Sequence, residues 1–186
     1  MKEYIHGGDI YRHPDVLDYS ANINPLGTPP GVIRAAKDSM ERVCHYPDAC
    51  QEKLKKALAE YEQVPVEWLI CGNGAAELIF ALVQAVKPKR ALVLAPTFAE
   101  YAQALEAVGC EVNREILKKE EGFTLQDRIL DRLKKEDLQM VFLCNPNNPT
   151  GILMDPKLLR KIVILCEKRQ IYLVVDECFL DFVPEP

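Results

Sequence analysis

The sequence has no CxxC pair, no stripe of basic residues, no apolar run of membrane-spanning length and no internal repeat. Each absence closes off a class of protein. The seven cysteines, an odd number, are scattered as Cys44, Cys50, Cys71, Cys110, Cys144, Cys166 and Cys178. A zinc site needs closely spaced ligand pairs, and a disulfide framework suits a shorter secreted chain. Several of the seven sit inside apolar runs, where a free cysteine behaves as a small hydrophobe. Reduced, buried thiols and no metal site are expected. A net charge of −5 lacks the basic field of a general nucleic-acid binder. The mixed-charge patches at 53–56 and 118–121 read as solvated surface. Residues 1–11 are polar, without the apolar centre of a secretory signal, and no stretch reaches the ~20 apolar residues of a spanning helix. A cytoplasmic protein with no nucleic-acid or membrane partner is the expectation.

What is present is a regular alternation. The chain has 186 residues, 48% of them hydrophobic, enough to bury one good core. Residues up to 30 are rich in Gly, Pro, Asn and Asp and read as an irregular N-terminal arm. Helical spacing follows at 31–43 and again at 50–61. From Pro65 the pattern alternates. Strands are expected at 68–71, 90–95, 110–117, 140–144 and 171–175, and helices at 75–86, 98–108, 125–135 and 156–169. Strands such as Ala91-Leu92-Val93-Leu94 are apolar throughout, as burial on both faces requires. The fold class is therefore α/β, a mostly parallel sheet with helices on both faces. Residues 1–45 form the arm and first helix, and 46–186 form the sheet domain.

Ligands of such sheets bind outside the carboxyl ends of the strands, and three segments fall there. Asn145-Pro146-Asn147-Asn148-Pro149-Thr150-Gly151 closes one apolar run, and Asp176-Glu177 closes the next. Pro96-Thr97-Phe98 leaves a third, where an aromatic could either stack on a planar ring or pack in the core. Gly72-Asn73-Gly74-Ala75-Ala76-Glu77 precedes a helix whose first N–H groups suit a phosphate, although a plain turn would have the same composition. A nicotinamide-binding turn fits worse, because Glu77 replaces the third glycine and the next strand ends in Ala95-Pro96 without a carboxylate for a ribose. No Gly-Lys-Ser/Thr follows, which excludes a P-loop.

The Asn-Pro-Asn-Asn-Pro-Thr-Gly turn followed by a strand ending in Asp176 resembles the fold-type I pyridoxal-phosphate enzymes, the aspartate aminotransferase superfamily. His6-Gly7-Gly8, the run Asp18 to Gly27, Tyr46-Pro47-Asp48 and the Gly-Asn-Gly-Ala-Ala-Glu turn occur in the order found in its threonine-phosphate decarboxylase branch, close kin of histidinol-phosphate aminotransferases. The resemblance implies pyridoxal 5'-phosphate as cofactor and a phosphorylated amino acid as substrate, with decarboxylation giving an amino-alcohol phosphate for the cobalamin side chain. It implies that Asp176 pairs with the pyridine nitrogen and Asn148 donates to the ring oxygen. It further implies that Phe98 covers a ring face and that Gly74, Ala75 and Ala76 hold the phosphate. Tyr46 would reach the cofactor of the neighbouring subunit in a homodimer, and His6, Asn22 and Asn24 would line the substrate end.

Aminotransferases of this group usually carry a tyrosine three residues after the aspartate, where this sequence has Phe179. That leans toward the decarboxylase branch and leaves the aminotransferase as the alternative. The family's covalent lysine lies beyond the last residue given, Pro186, so this stretch alone is expected to show no turnover. Lys157, Lys161 and Lys168 sit on the intervening helix and read as solvent-facing. A non-catalytic fragment that binds a phosphate ligand or a partner chain is the reading from another class.

Overall fold

The computed structural model describes residues 7–184. The chain divides into two compact units, Met1–Val64 and Pro65–Pro186. His6 lies outside the described residues.

In the first unit, residues 7–29 contain no helix or strand and are ordered by side-chain-to-backbone hydrogen bonds. The Gly8 N–H donates to Ser20 Oγ at 2.9 Å, and Ser20 donates to Asp18 Oδ1 through its N–H (2.7 Å) and hydroxyl (2.5 Å). Those donors hold the Asp18 carboxyl below the ordinary range. A Cβ on Gly7 would stand 1.8 Å from the Ser20 carbonyl oxygen, so only glycine fits there. Helix α1, Pro30–Ser39, starts with the proline that suits a first helical turn. A short 3₁₀ turn, Met40–Arg42, continues it, where the sequence suggested α-helix to 43. Helix α2 spans Glu52–Glu62 and is capped from Asp48, whose carboxylate accepts from the N–H groups of Cys50 and Glu52 at 3.0 Å each.

The second unit contains α3 (Ala75–Val86), β1 (Arg90–Ala95), α4 (Ala99–Ala107), β2 (Glu111–Ile116), α5 (Ile129–Lys135), β3 (Met140–Cys144), α6 (Pro156–Arg169) and β4 (Tyr172–Asp176). The strands pair in parallel in the order β2-β1-β3-β4. Strict alternation of side chains divides the core in two. Leu92, Leu94, Val141 and Leu143 face Ile129, Leu133, Leu158 and Ile162 of α5 and α6. Ala91, Val93, Met140, Phe142 and Cys144 face Ile79, Val83, Tyr101 and Leu105 of α3 and α4. Helices thus cover both faces, as the apolar runs of the central strands β1 and β3 require.

Several expected bounds need correction, helix α5 among them, which starts at Ile129 rather than 125. The segment 68–71 is not a strand. Val66–Trp68 forms a 3₁₀ turn, because the amides of Trp68 and Leu69 bond back to the carbonyls of Pro65 and Val66. With no neighbouring ladder to satisfy them, these amides close locally, and Trp68 and Ile70 stay exposed. The last strand runs to Asp176 rather than stopping at 175, which puts the carboxylate residue in register with Cys144.

Candidate cofactor site at the carboxyl edge of the sheet

The chain leaves β1 to pair on one side with β2 and later returns to add β3 on the other. The carboxyl ends of β1 and β3 therefore flank the switch point, where open α/β sheets hold ligands. Asn147 ties the two loops there. Its Oδ1 accepts from the Thr97 hydroxyl at 2.8 Å, and its Nδ2 donates to the Pro96 carbonyl (3.1 Å) and to Thr150 Oγ1 (2.9 Å). Asn145 is used similarly: its N–H donates to the Asp176 carbonyl at 2.8 Å, and its Oδ1 accepts from the Met154 N–H at 2.8 Å. Both side chains are buried. Asn148 differs. Its backbone N–H meets Cys144 Sγ at 3.4 Å, but its half-buried side-chain amide has no protein partner among the described residues. Of the three asparagines, this is the one with donors and an acceptor to offer a ligand.

Asp176 is half-buried at the tip of β4 and keeps two donors. The Tyr101 hydroxyl donates to Oδ2 at 2.6 Å, and the Cys178 N–H donates to Oδ1 at 3.0 Å. Each carboxylate oxygen retains acceptor capacity, so the group can still receive an N–H from a cationic partner. Tyr101 itself is fully buried. Its ring stacks on Phe142 at 4.9 Å and meets Phe98 edge-on at 5.5 Å. Burial and the neighbouring Asp176 push its hydroxyl far above the ordinary tyrosine range, so it is a donor at any physiological pH. Sequence reasoning missed Tyr101. The signal was its position three residues after Phe98, the same face of one helix turn.

Gly74 holds φ +86°, a conformation L side chains rarely adopt, and turns the chain into α3. The Glu77 carboxylate reaches back to the Asn73 N–H at 2.5 Å. This half capping box leaves the first-turn N–H groups of Ala75 and Ala76 without side-chain acceptors. Because α3 packs on the sheet and leads by a short link into the start of β1, its N-terminus lies toward the carboxyl edge.

In the first unit, Tyr46 is 99% exposed. Asn22 is exposed with no side-chain partner among the described residues, whereas Asn24 folds its amide into a turn with the Leu26 N–H (3.0 Å) and the Gly27 carbonyl (3.2 Å). The cysteines only partly follow expectation. All seven are free, but Cys44, Cys50 and Cys178 are exposed, while Cys110, Cys144 and Cys166 are buried. Burial pushes the Cys166 thiol up to about 11 and raises Cys144 as well, which keeps both in the unreactive thiol form. Lys157, Lys161 and Lys168 face solvent as expected. Among the described residues, no helix is long and apolar enough to cross a membrane.

Residues 14–186 match the family described as aminotransferase class I and II, and the chain belongs to that family. It is 46% identical over 187 residues to the threonine-phosphate decarboxylase of Salmonella typhimurium, covering 96% of this chain and 51% of the relative. It is 36% identical over 178 residues to a histidinol-phosphate aminotransferase of Desulfitobacterium hafniense, covering 92% and 49%. Among solved structures, the histidinol-phosphate aminotransferase of Clostridium acetobutylicum superimposes with a TM-score of 0.79 at 28% identity, over 92% of this chain and 50% of that one. The chain spans about half the length of the curated relatives it matches.

Proposed function

We propose that this chain supplies the cofactor-holding part of a pyridoxal-phosphate enzyme that decarboxylates L-threonine O-3-phosphate. The observation that carries the cofactor reading is the pairing of a doubly hydrogen-bonded strand-tip carboxylate, Asp176, with the unpartnered amide of Asn148 across the end of β3. That donor set fits a pyridine ring that carries a proton on nitrogen and an oxygen substituent. Asp176 would keep the ring nitrogen protonated, and Asn148 would donate to the ring oxygen. Phe98, half-buried and braced by Tyr101, would cover one ring face. The turn at Gly74 and the open N–H groups of Ala75 and Ala76 would hold the phosphate. When bound, pyridoxal phosphate supplies an electron sink for the bond broken at the substrate α-carbon.

The arm and first helix, residues 1–45, would serve the substrate end, with His6, Asn22 and the remaining N–H of Asn24 toward the substrate phosphate. Tyr46, wholly exposed within its own unit, would reach the cofactor of a second copy, making an isologous homodimer with shared sites. Cytoplasmic location belongs to the same reading.

Two observations favour decarboxylation. The relative of higher identity is a decarboxylase, and Phe179, three residues after Asp176, has no hydroxyl with which to tune the ring oxygen. The competing reading is a histidinol-phosphate aminotransferase, supported by the second relative and the structural neighbour. Both reactions should be assayed on one preparation of a polypeptide of the relatives' full length that carries this sequence. Release of CO2 from L-threonine O-3-phosphate should outpace amino exchange between histidinol phosphate and 2-oxoglutarate. Faster exchange moves the assignment to the aminotransferase.

A further inference from the structure

We propose that Tyr101 is the positioning residue of this site, fixing the Asp176 carboxylate through its hydroxyl and the Phe98 ring through its edge; the inference rests on the cofactor role proposed for Asp176. Three observations support it. The Tyr101 hydroxyl is buried and spends its donor on Asp176 Oδ2 at 2.6 Å, across 75 residues of sequence. A polar hydroxyl in that apolar layer is costly without a partner, so hydroxyl and carboxylate specify each other's position. The Tyr101 ring is wedged between Phe142, stacked at 4.9 Å and 12°, and Phe98, perpendicular at 5.5 Å and 78°. A ring held on two sides cannot swing, so its hydroxyl is a fixed reference point rather than an opportunistic contact.

The arrangement extends across the sheet. Cys144, in register with Asp176, lies beside the Tyr101 hydroxyl, and its sulfur receives the Asn148 N–H at 3.4 Å. Its own thiol donates to the Pro146 carbonyl at 3.2 Å. Tyr101 thus stands where the supports of Asp176, Phe98 and Asn148 converge. It touches neither substrate nor reacting atoms in this scheme and acts through the groups it holds. A carboxylate with one oxygen fixed by the Cys178 N–H and the other by Tyr101 cannot rotate about its χ2 without losing both bonds. The direction in which it accepts a cationic N–H is therefore set before any ligand arrives, which lowers the ordering cost of binding.

The test is a double-mutant cycle on pyridoxal-phosphate affinity, read from absorbance titration of the protein freed of cofactor and reloaded. The four proteins are wild type, Tyr101→Phe, Asp176→Ala and the double variant, with unfolding stability measured on each. Phenylalanine keeps both ring contacts, so the fold is retained and only the hydroxyl is lost. Tyr101→Phe should weaken affinity about tenfold when Asp176 is present, the scale of one hydrogen bond to a charged group. In the Asp176→Ala background it should change affinity by about twofold or less, because its route to the ligand is gone. Equal losses in both backgrounds, or no loss in either, would overturn the positioning role while leaving the Asp176 reading intact. An Asp176→Ala protein with unchanged affinity and unchanged cofactor absorbance would overturn that reading and this one together. A purely structural hydroxyl would lower unfolding stability and leave affinity unmoved, which also counts against the proposal.

Discussion

The two units of this chain hold their candidate residues by different means. In Pro65–Pro186 the residues of interest hang from a sheet with two packed faces, and Asp176, Asn148 and Phe98 are each fixed by buried neighbours. In Met1–Val64 the only buried described residue is Ala59, and Asn22, Asn24 and Tyr46 all lie exposed. Order there comes from local turns closed by Asp18, Asn24 and Asp48. A packed scaffold resists displacement of its side chains because every neighbour must move with them. A hydrogen-bonded turn defines the backbone but leaves side chains to be placed by whatever they meet. The second unit can preorganise a ligand site, whereas the first leaves its exposed side chains unfixed.

Substitutions can break or sharpen that contrast. Phe142→Ala removes a fully buried ring from the layer that carries Tyr101. It should cost about 4 kcal/mol in urea unfolding, the usual range for a large core truncation. A loss under about 1 kcal/mol would show that the core is not as close-packed as described. Asn147→Ala strips the ties between the β1 and β3 loops and takes a partner from the Thr97 and Thr150 hydroxyls and the Pro96 carbonyl. About 2 kcal/mol of stability should go with it, and cofactor affinity should fall in parallel.

The alkaline limb offers a third check. Burial raises the Tyr101 hydroxyl above its ordinary pKa of 10.0, so the folded protein keeps a proton that the unfolded chain releases. The resulting stability is fully present below pH 10 and is lost as pH rises above it, by up to ~1.4 kcal/mol per pH unit. Wild type should therefore lose stability more steeply above pH 10 than Tyr101→Phe, compared by unfolding at stepped pH. Identical slopes would mean that the phenol is not held neutral. The smallest effect is expected in the first unit. Tyr46→Phe, at a wholly exposed position, should change unfolding stability by no more than about 0.5 kcal/mol. It should nonetheless weaken pyridoxal-phosphate binding in the assembled protein by about 1–2 kcal/mol, the scale of one charge-assisted hydrogen bond.

Much of the second unit was legible in the sequence because its signals are strong and local. The continuously apolar runs 91–95 and 140–144 read as two-sided strands, and helices α3 and α6 lie where their periodicity puts them. The segment 68–71 misled because a short apolar run becomes a strand only when a ladder is available, and pairing is not written in local composition. The Asn-rich turn was recognised as a unit, but sequence could not apportion it. Asn145 and Asn147 are consumed in bracing, and only Asn148 keeps its amide for a ligand. Tyr101 escaped notice because a tyrosine inside an amphipathic helix reads as core, and its partner lies 75 residues away. In the first unit the asparagine- and glycine-rich arm was identifiable by composition, while the use each residue makes of its side chain was not.

In the proposed site Asp176 would hold a proton on the nitrogen of a bound pyridine ring. Nitrogen-15 NMR of the protein loaded with ring-labelled pyridoxal phosphate measures this directly. The ring nitrogen should be protonated at neutral pH in the wild-type protein and lose that proton in Asp176→Ala. An unprotonated nitrogen with Asp176 intact, or a protonated one without it, would contradict the account.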